Sequence, residues 1–201
     1  MSIDLKEKLD CLYDQYNRFS FIDPDPLVFV YQYESQADRE LAGFIAACFA
    51  YGRVEMIMKT VRHILDVLTP NPSGFLNNAN RRELENRFEG FRYRFASQEH
   101  LVNLLLGLKL VHRQFGSLEN CFNTGQKSGD ETVLSGLRLL SDRIRGQRGI
   151  GHLLADPHKT SACKRSHLFL RWMIRKDSVD PGCWKGVSAS RLVVPLDRHM
   201  H

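Results

Sequence analysis

No stretch of this 201-residue chain is apolar for long enough to cross a bilayer, and its first ten residues, MSIDLKEKLD, lack the apolar core of a secretory signal. Both absences point to a cytoplasmic protein. Cysteine is sparse: Cys11, Cys48, Cys121, Cys163 and Cys183 are odd in number, widely scattered and free of any C-x-x-C spacing. That argues against a disulfide framework and against the usual zinc or iron–sulfur sites. Histidine adds nothing: His152, His158, Cys163 and His167, or His199 with His201, match no recognised zinc spacing, so neither a metal nor a cofactor is expected. Internal repeats and low-complexity tracts are missing, and so is strand-like alternation of useful length. The run Leu192-Val193-Val194 is too short to seed a sheet.

What the chain has is helical periodicity. Leu5, Leu9, Leu12, Tyr16 and Phe19 recur at steps of three and four, a pattern that predicts one amphipathic helix ended by Asp23-Pro24-Asp25-Pro26. Leu27 to Tyr33 reads as a helical turn or an extended piece. Ser35 with Asp38 resembles a capping box for a helix that buries Leu41, Phe44, Ile45, Cys48 and Phe49 and breaks near Gly52. A further helix runs from Val54 to Leu68, and Asn71-Pro72-Ser73-Gly74 reads as a turn. Ser97 caps the strongest helix, closed by Gly116, and Asp130 or Thr132 opens another through Ile144. Residues 162–176 form the last. The expectation is an all-α fold in a single domain, with 201 residues ample for a core.

The net charge of +5 is unevenly spread. Arg138 to Lys176 holds ten Lys or Arg against two acids, Asp142 and Asp156, whereas residues 1–137 carry fifteen basic and eighteen acidic side chains. Such a segment suits a polyanion, DNA above all, or is simply a solvated basic face. Within it, Gly149-Ile150-Gly151 after Arg148 could present backbone N–H groups and charge to a phosphate, or could end a helix for conformational reasons alone. Phe88 to Phe95 interleaves aromatic and basic residues, which either stack bases or plug a core.

Two groups could carry chemistry. Lys164 stands at the head of an apolar helix, where the macrodipole and the adjacent Arg165 disfavour an ammonium ion and favour the neutral amine. Such an amine can attack a sugar C1′ and form a Schiff base; the plainer reading is an exposed helix lysine. Asp197 follows Pro195 and could act as a general base, stabilise a cationic transition state, or only cap a helix. Lys164, Arg171 and Arg175 share a helical stripe beside the apolar Leu168, Phe169, Trp172 and Met173.

The phrases Ala46 to Arg53, Phe91 to Phe95, Ser161 to Arg165, Phe169 to Asp177, Val179-Asp180 and Pro195-Leu196-Asp197-x-His199 resemble an uncharacterised bacterial family, a domain of unknown function. That family is similar, distantly, to the helix-hairpin-helix superfamily of DNA glycosylases, in particular its archaeal 8-oxoguanine glycosylase branch. The resemblance implies a helix-hairpin-helix glycosylase-like fold with a DNA cleft between two helical lobes. It implies flipping of a damaged base, attack by Lys164 at C1′, assistance from Asp197 and a lyase step. Arg148, Arg165 and Arg171 would meet phosphates, with Gly149 and Gly151 in the binding turn. It also implies further helices beyond His201, so the chain is expected to be a C-terminally shortened domain. The alternative expectation is a non-catalytic nucleic-acid-binding helical protein.

Overall fold

The computed structural model describes residues 4–147 and 149–196. Nine α-helices occur among them: α1 (Leu5–Tyr16), α2 (Gln36–Phe49), α3 (Val54–Val67), α4 (Pro72–Asn78), α5 (Arg81–Arg87), α6 (Gln98–Phe115), α7 (Leu118–Gly125), α8 (Leu134–Arg145) and α9 (Lys164–Ile174). The only sheet among the described residues is a hairpin of β1 (Arg92–Tyr93) and β2 (Ala96–Ser97), with Arg92 opposite Ser97 and Tyr93 opposite Ala96. The fold is therefore mostly helical. No helix of the described residues is long and apolar enough to cross a membrane.

The core is built on α2 and α6. From Leu41 to Phe49 every residue of α2 is buried, because helices or 3₁₀ turns cover it on several sides: the 3₁₀ helix Pro26–Gln32, α3, α4 and α9. Helix α6 buries Leu101, Leu104, Leu105, Leu108 and Val111 against α4, α5, α7 and α8. On α9, Phe169, Leu170, Trp172 and Met173 face inward, and each such side chain contributes about 1.5–3 kcal/mol of apolar burial. Phe44 meets Phe169 edge-on at 4.9 Å, and Phe169 meets Trp184 at 5.5 Å. One buried acid sits among these rings. Glu40 accepts from the N–H groups of Leu118 (2.8 Å) and Glu119 (3.2 Å) at the start of α7, and from the Trp184 indole (2.7 Å). Burial pushes its carboxyl up despite those donors.

Several local expectations change. The apolar stripe of α1 is exposed from Leu5 through Tyr16, since no buried residue lies on that helix, and it stops three residues short of Phe19. Asn71 caps α4 through the Gly74 N–H with Pro72 at the first position, so the expected turn is a helix start. At Ser35 the side chain accepts from the Asp38 N–H, while the Asp38 carboxylate turns to the Ser35 hydroxyl and the Ser73 N–H. The reciprocal capping box is at Ser97, with His100 in the place that Glu or Gln usually takes.

Candidate functional site

Helix α9 begins at Lys164, as its sequence suggests. The preceding Cys163 lies in the left-handed region (φ 47°), its N–H bonded to the Ser161 hydroxyl at 3.2 Å. This turn leaves Lys164 exposed on the first turn of the helix, between two recesses.

The first is a cavity of about 530 Å³ between the start of α9, the end of α2 and residues 151–156. Among the described residues Arg145, Lys159, Lys164 and Arg165 line it, with one acid, Asp156. Two thiols share the wall. Burial pushes Cys48 up to about 12 and raises Cys163, so neither supplies a ready thiolate. The second is a groove of about 630 Å³. One wall is the α9 face of Lys164, His167, Leu168, Arg171 and Arg175; the other is the segment from Ala189 to Pro195. His167 is 6% exposed, its Nδ1 has no hydrogen-bond partner among the described residues, and burial lowers its proton affinity.

The expected site residues divide between these recesses. Lys164 lines both, Arg165 and Gly151 the cavity, and Arg171 the groove. Gly149 is exposed and lines neither; its carbonyl accepts from Asn103 Nδ2 at 3.0 Å. Asp197 and Arg148 lie outside the described residues. Pro195, two positions before Asp197, faces the same groove as Lys164.

The arginines also serve the fold. Arg165 donates to the carbonyls of Cys48 and His152 and lies 4.8 Å over the Tyr51 ring. Arg171 Nε bonds the buried Asp180 at 2.9 Å, and Arg175 pairs with Asp177 at 2.7 Å. Burial raises the Asp180 carboxyl against the pull of Arg171. Gly151 has φ +60°, and a Cβ there would sit 2.7 Å from the His100 ring. Its conformational role is thus concrete. Among the described residues no three His, Cys, Asp or Glu side chains gather as metal ligands would.

Reading along the chain did not single out Tyr51, where three separate phrases meet. Tyr93 donates its hydroxyl to the Tyr51 carbonyl, Arg165 covers the Tyr51 ring, and His152 meets that ring edge-on at 5.0 Å. Phrases 46–53, 91–95 and 161–165 therefore form one wall. Residues 25–201 match a family described as "Protein of unknown function (DUF2400)". The chain belongs to the DUF2400 family. No curated protein and no solved structure matches it.

The matched span of this DUF2400 chain begins at Asp25, after α1, and contains both recesses. Arg145 and Lys159, counted in the basic segment but not distinguished within it, complete the cationic lining. Their signal was charge density, which does not separate a wall from a solvated face.

Proposed function

We propose that this protein acts on DNA as a glycosylase and abasic-site lyase, with Lys164 as nucleophile and Asp197 assisting. The observation that carries the reading is the position of Lys164, at the mouth of a cation-lined cavity and on the groove that Pro195 also lines. The cations Arg145, Lys159 and Arg165 suit phosphates, and the half-apolar cavity suits an extruded base.

In this mechanism the Lys164 amine attacks C1′, and the base leaves with the electrons of the glycosidic bond. The Asp197 carboxylate offsets positive charge as that bond breaks. The amine proton is lost as the sugar ring opens to the Schiff base, and β-elimination then cleaves the strand. The helix-hairpin-helix glycosylase-like arrangement belongs to the same proposal, with α8, Gly149-Ile150-Gly151 and α9 as its elements. Residues 146–163 join the two helices through the 3₁₀ turn Gly151–Leu153, a longer link than a tight hairpin.

Borohydride trapping on DNA containing an abasic site or 8-oxoguanine tests the reading. A covalent adduct is expected from the wild type and none from Lys164→Gln. An adduct of equal yield in the variant removes Lys164 from the mechanism. A second reading, a nucleic-acid-binding protein without catalysis, is favoured by the same cation set, which attracts phosphate whether or not an amine reacts. Salt-dependent DNA binding with no adduct from the wild type decides for it.

A further inference from the structure

The hairpin tip between β1 and β2 belongs to neither recess, yet it adjoins the cavity. It consists of two residues, Arg94 and Phe95. The aromatic residues leading to it have mostly gone inward: Phe88 and Tyr93 are buried and Phe91 is half-buried. Phe95 is 66% exposed, a large apolar ring with no core role. Arg94 takes the left-handed conformation (φ 49°), rare for a residue with a side chain, and holds its guanidinium 5.8 Å from the Phe95 ring and 6.0 Å from Tyr51. Gly52 leaves room for this: a Cβ there would lie 3.0 Å from Arg94 Nη1.

His152 links the tip to the cavity, meeting Phe95 at 5.5 Å and Tyr51 at 5.0 Å while lining the cavity beside Arg165. Among the described residues no carboxylate pairs with Arg94. Burial lowers the proton affinity of His152, and the positive charges of Arg165 and Arg94 add to that. An exposed ring, an adjoining guanidinium that no described carboxylate pairs and a cation-lined cavity alongside suit a planar ligand attached to an anion.

We infer that Phe95 and Arg94 form a stacking shelf for an unpaired nucleobase, with Arg94 meeting the flanking phosphate, so that a strand is held open beside the cavity. The shelf rests on the reading that the ligand is nucleic acid, but not on the Lys164 chemistry. A ring in the base stack is sequence-tolerant, since every base offers a π-face, so the shelf selects unpaired over paired bases.

The test uses the full chain with two fluorescently labelled duplexes, one fully paired and one with a single-base bulge, read by anisotropy. Phe95→Ala is expected to lose about 5- to 100-fold in affinity for the bulged duplex and less than about twofold for the paired one. Its urea midpoint should match the wild type, since the ring is exposed. Phe95→Trp should keep the bulge preference, with emission from the new indole quenched by the bulged duplex only. Arg94→Gln should reduce the slope of log affinity against log salt by about 1. If Phe95→Ala binds both duplexes as the wild type does, the shelf is overturned and the nucleic-acid reading stands. If the wild type binds neither duplex at low salt, both fall.

Discussion

Arg165 has two claims on it: as a cation for phosphate, which its place in a basic run suggests, and as a strut, which its contacts describe. Its guanidinium joins the end of α2 to the 151–153 turn through the carbonyls of Cys48 and His152 and covers Tyr51. Two charge-assisted bonds at the low end of their range contribute about 1.5 kcal/mol each. The ring contact adds about 0.5–1 kcal/mol. The exposed His152 carbonyl regains water when the arginine is removed, which returns about 1 kcal/mol. Arg165→Ala should therefore cost about 2.5–3 kcal/mol. Lysine can serve one carbonyl but not both and loses the planar stack, so Arg165→Lys should still cost about 1.5 kcal/mol. With a urea m-value of about 2 kcal/mol/M, the alanine variant should shift the midpoint by about 1.2–1.5 M, followed by the fluorescence of the buried Trp172 and Trp184. A midpoint within about 0.25 M of the wild type, together with weakened DNA binding, would refute this and return Arg165 to the surface-cation role.

Two further expectations concern the same region. Gly151→Ala, forced into φ +60° against the His100 ring, should lose about 1–3 kcal/mol in urea denaturation, whereas Gly149→Ala, with nothing within 4 Å of its added Cβ, should stay within about 0.5 kcal/mol. His167, buried neutral beside Lys164, Arg171 and Arg175, has a folded-state pKa below its unfolded value of 6.5, so its contribution is fully present above pH 6.5 and is lost as pH falls from there. Urea midpoints should decline on acidification below pH 6.5 more steeply for the wild type than for His167→Gln; parallel declines would exclude His167 as the cause.

Much of the helical fold was legible because period and caps agree: Leu101, Leu104, Leu105, Leu108 and Val111 follow Ser97 and end at Gly116, which has φ +80°. Lys164 was legible as a helix start because Ser161-Ala162-Cys163 interrupts the pattern before an apolar run. Phrase 88–95 was not, because its fate turns on one event. Strand alternation would place Phe91, Tyr93 and Phe95 on one face, but the two-residue turn at Arg94-Phe95 ends it, sending Phe95 out and Ala96 in. Nor could sequence separate Arg165 from Lys164. Adjacent basic residues on one helical turn point in different directions, and only the carbonyls of Cys48 and His152 decide which becomes structural.

Most acids near this region serve the fold. Asp180 is spent on Arg171, Asp177 on Arg175, Asp142 on His158, and Glu40 on N–H donors in the interior. Among the described residues Asp156 lines the cavity together with Arg145, Lys159, Lys164 and Arg165, and Arg94 lies on the tip alongside. Two of these cations meet at Tyr51: Arg94 and Arg165 both lie over its ring, and Arg165 is held there by the carbonyls of Cys48 and His152. Fixing like charges side by side costs stability, which the ring contact and the two carbonyl bonds of Arg165 offset.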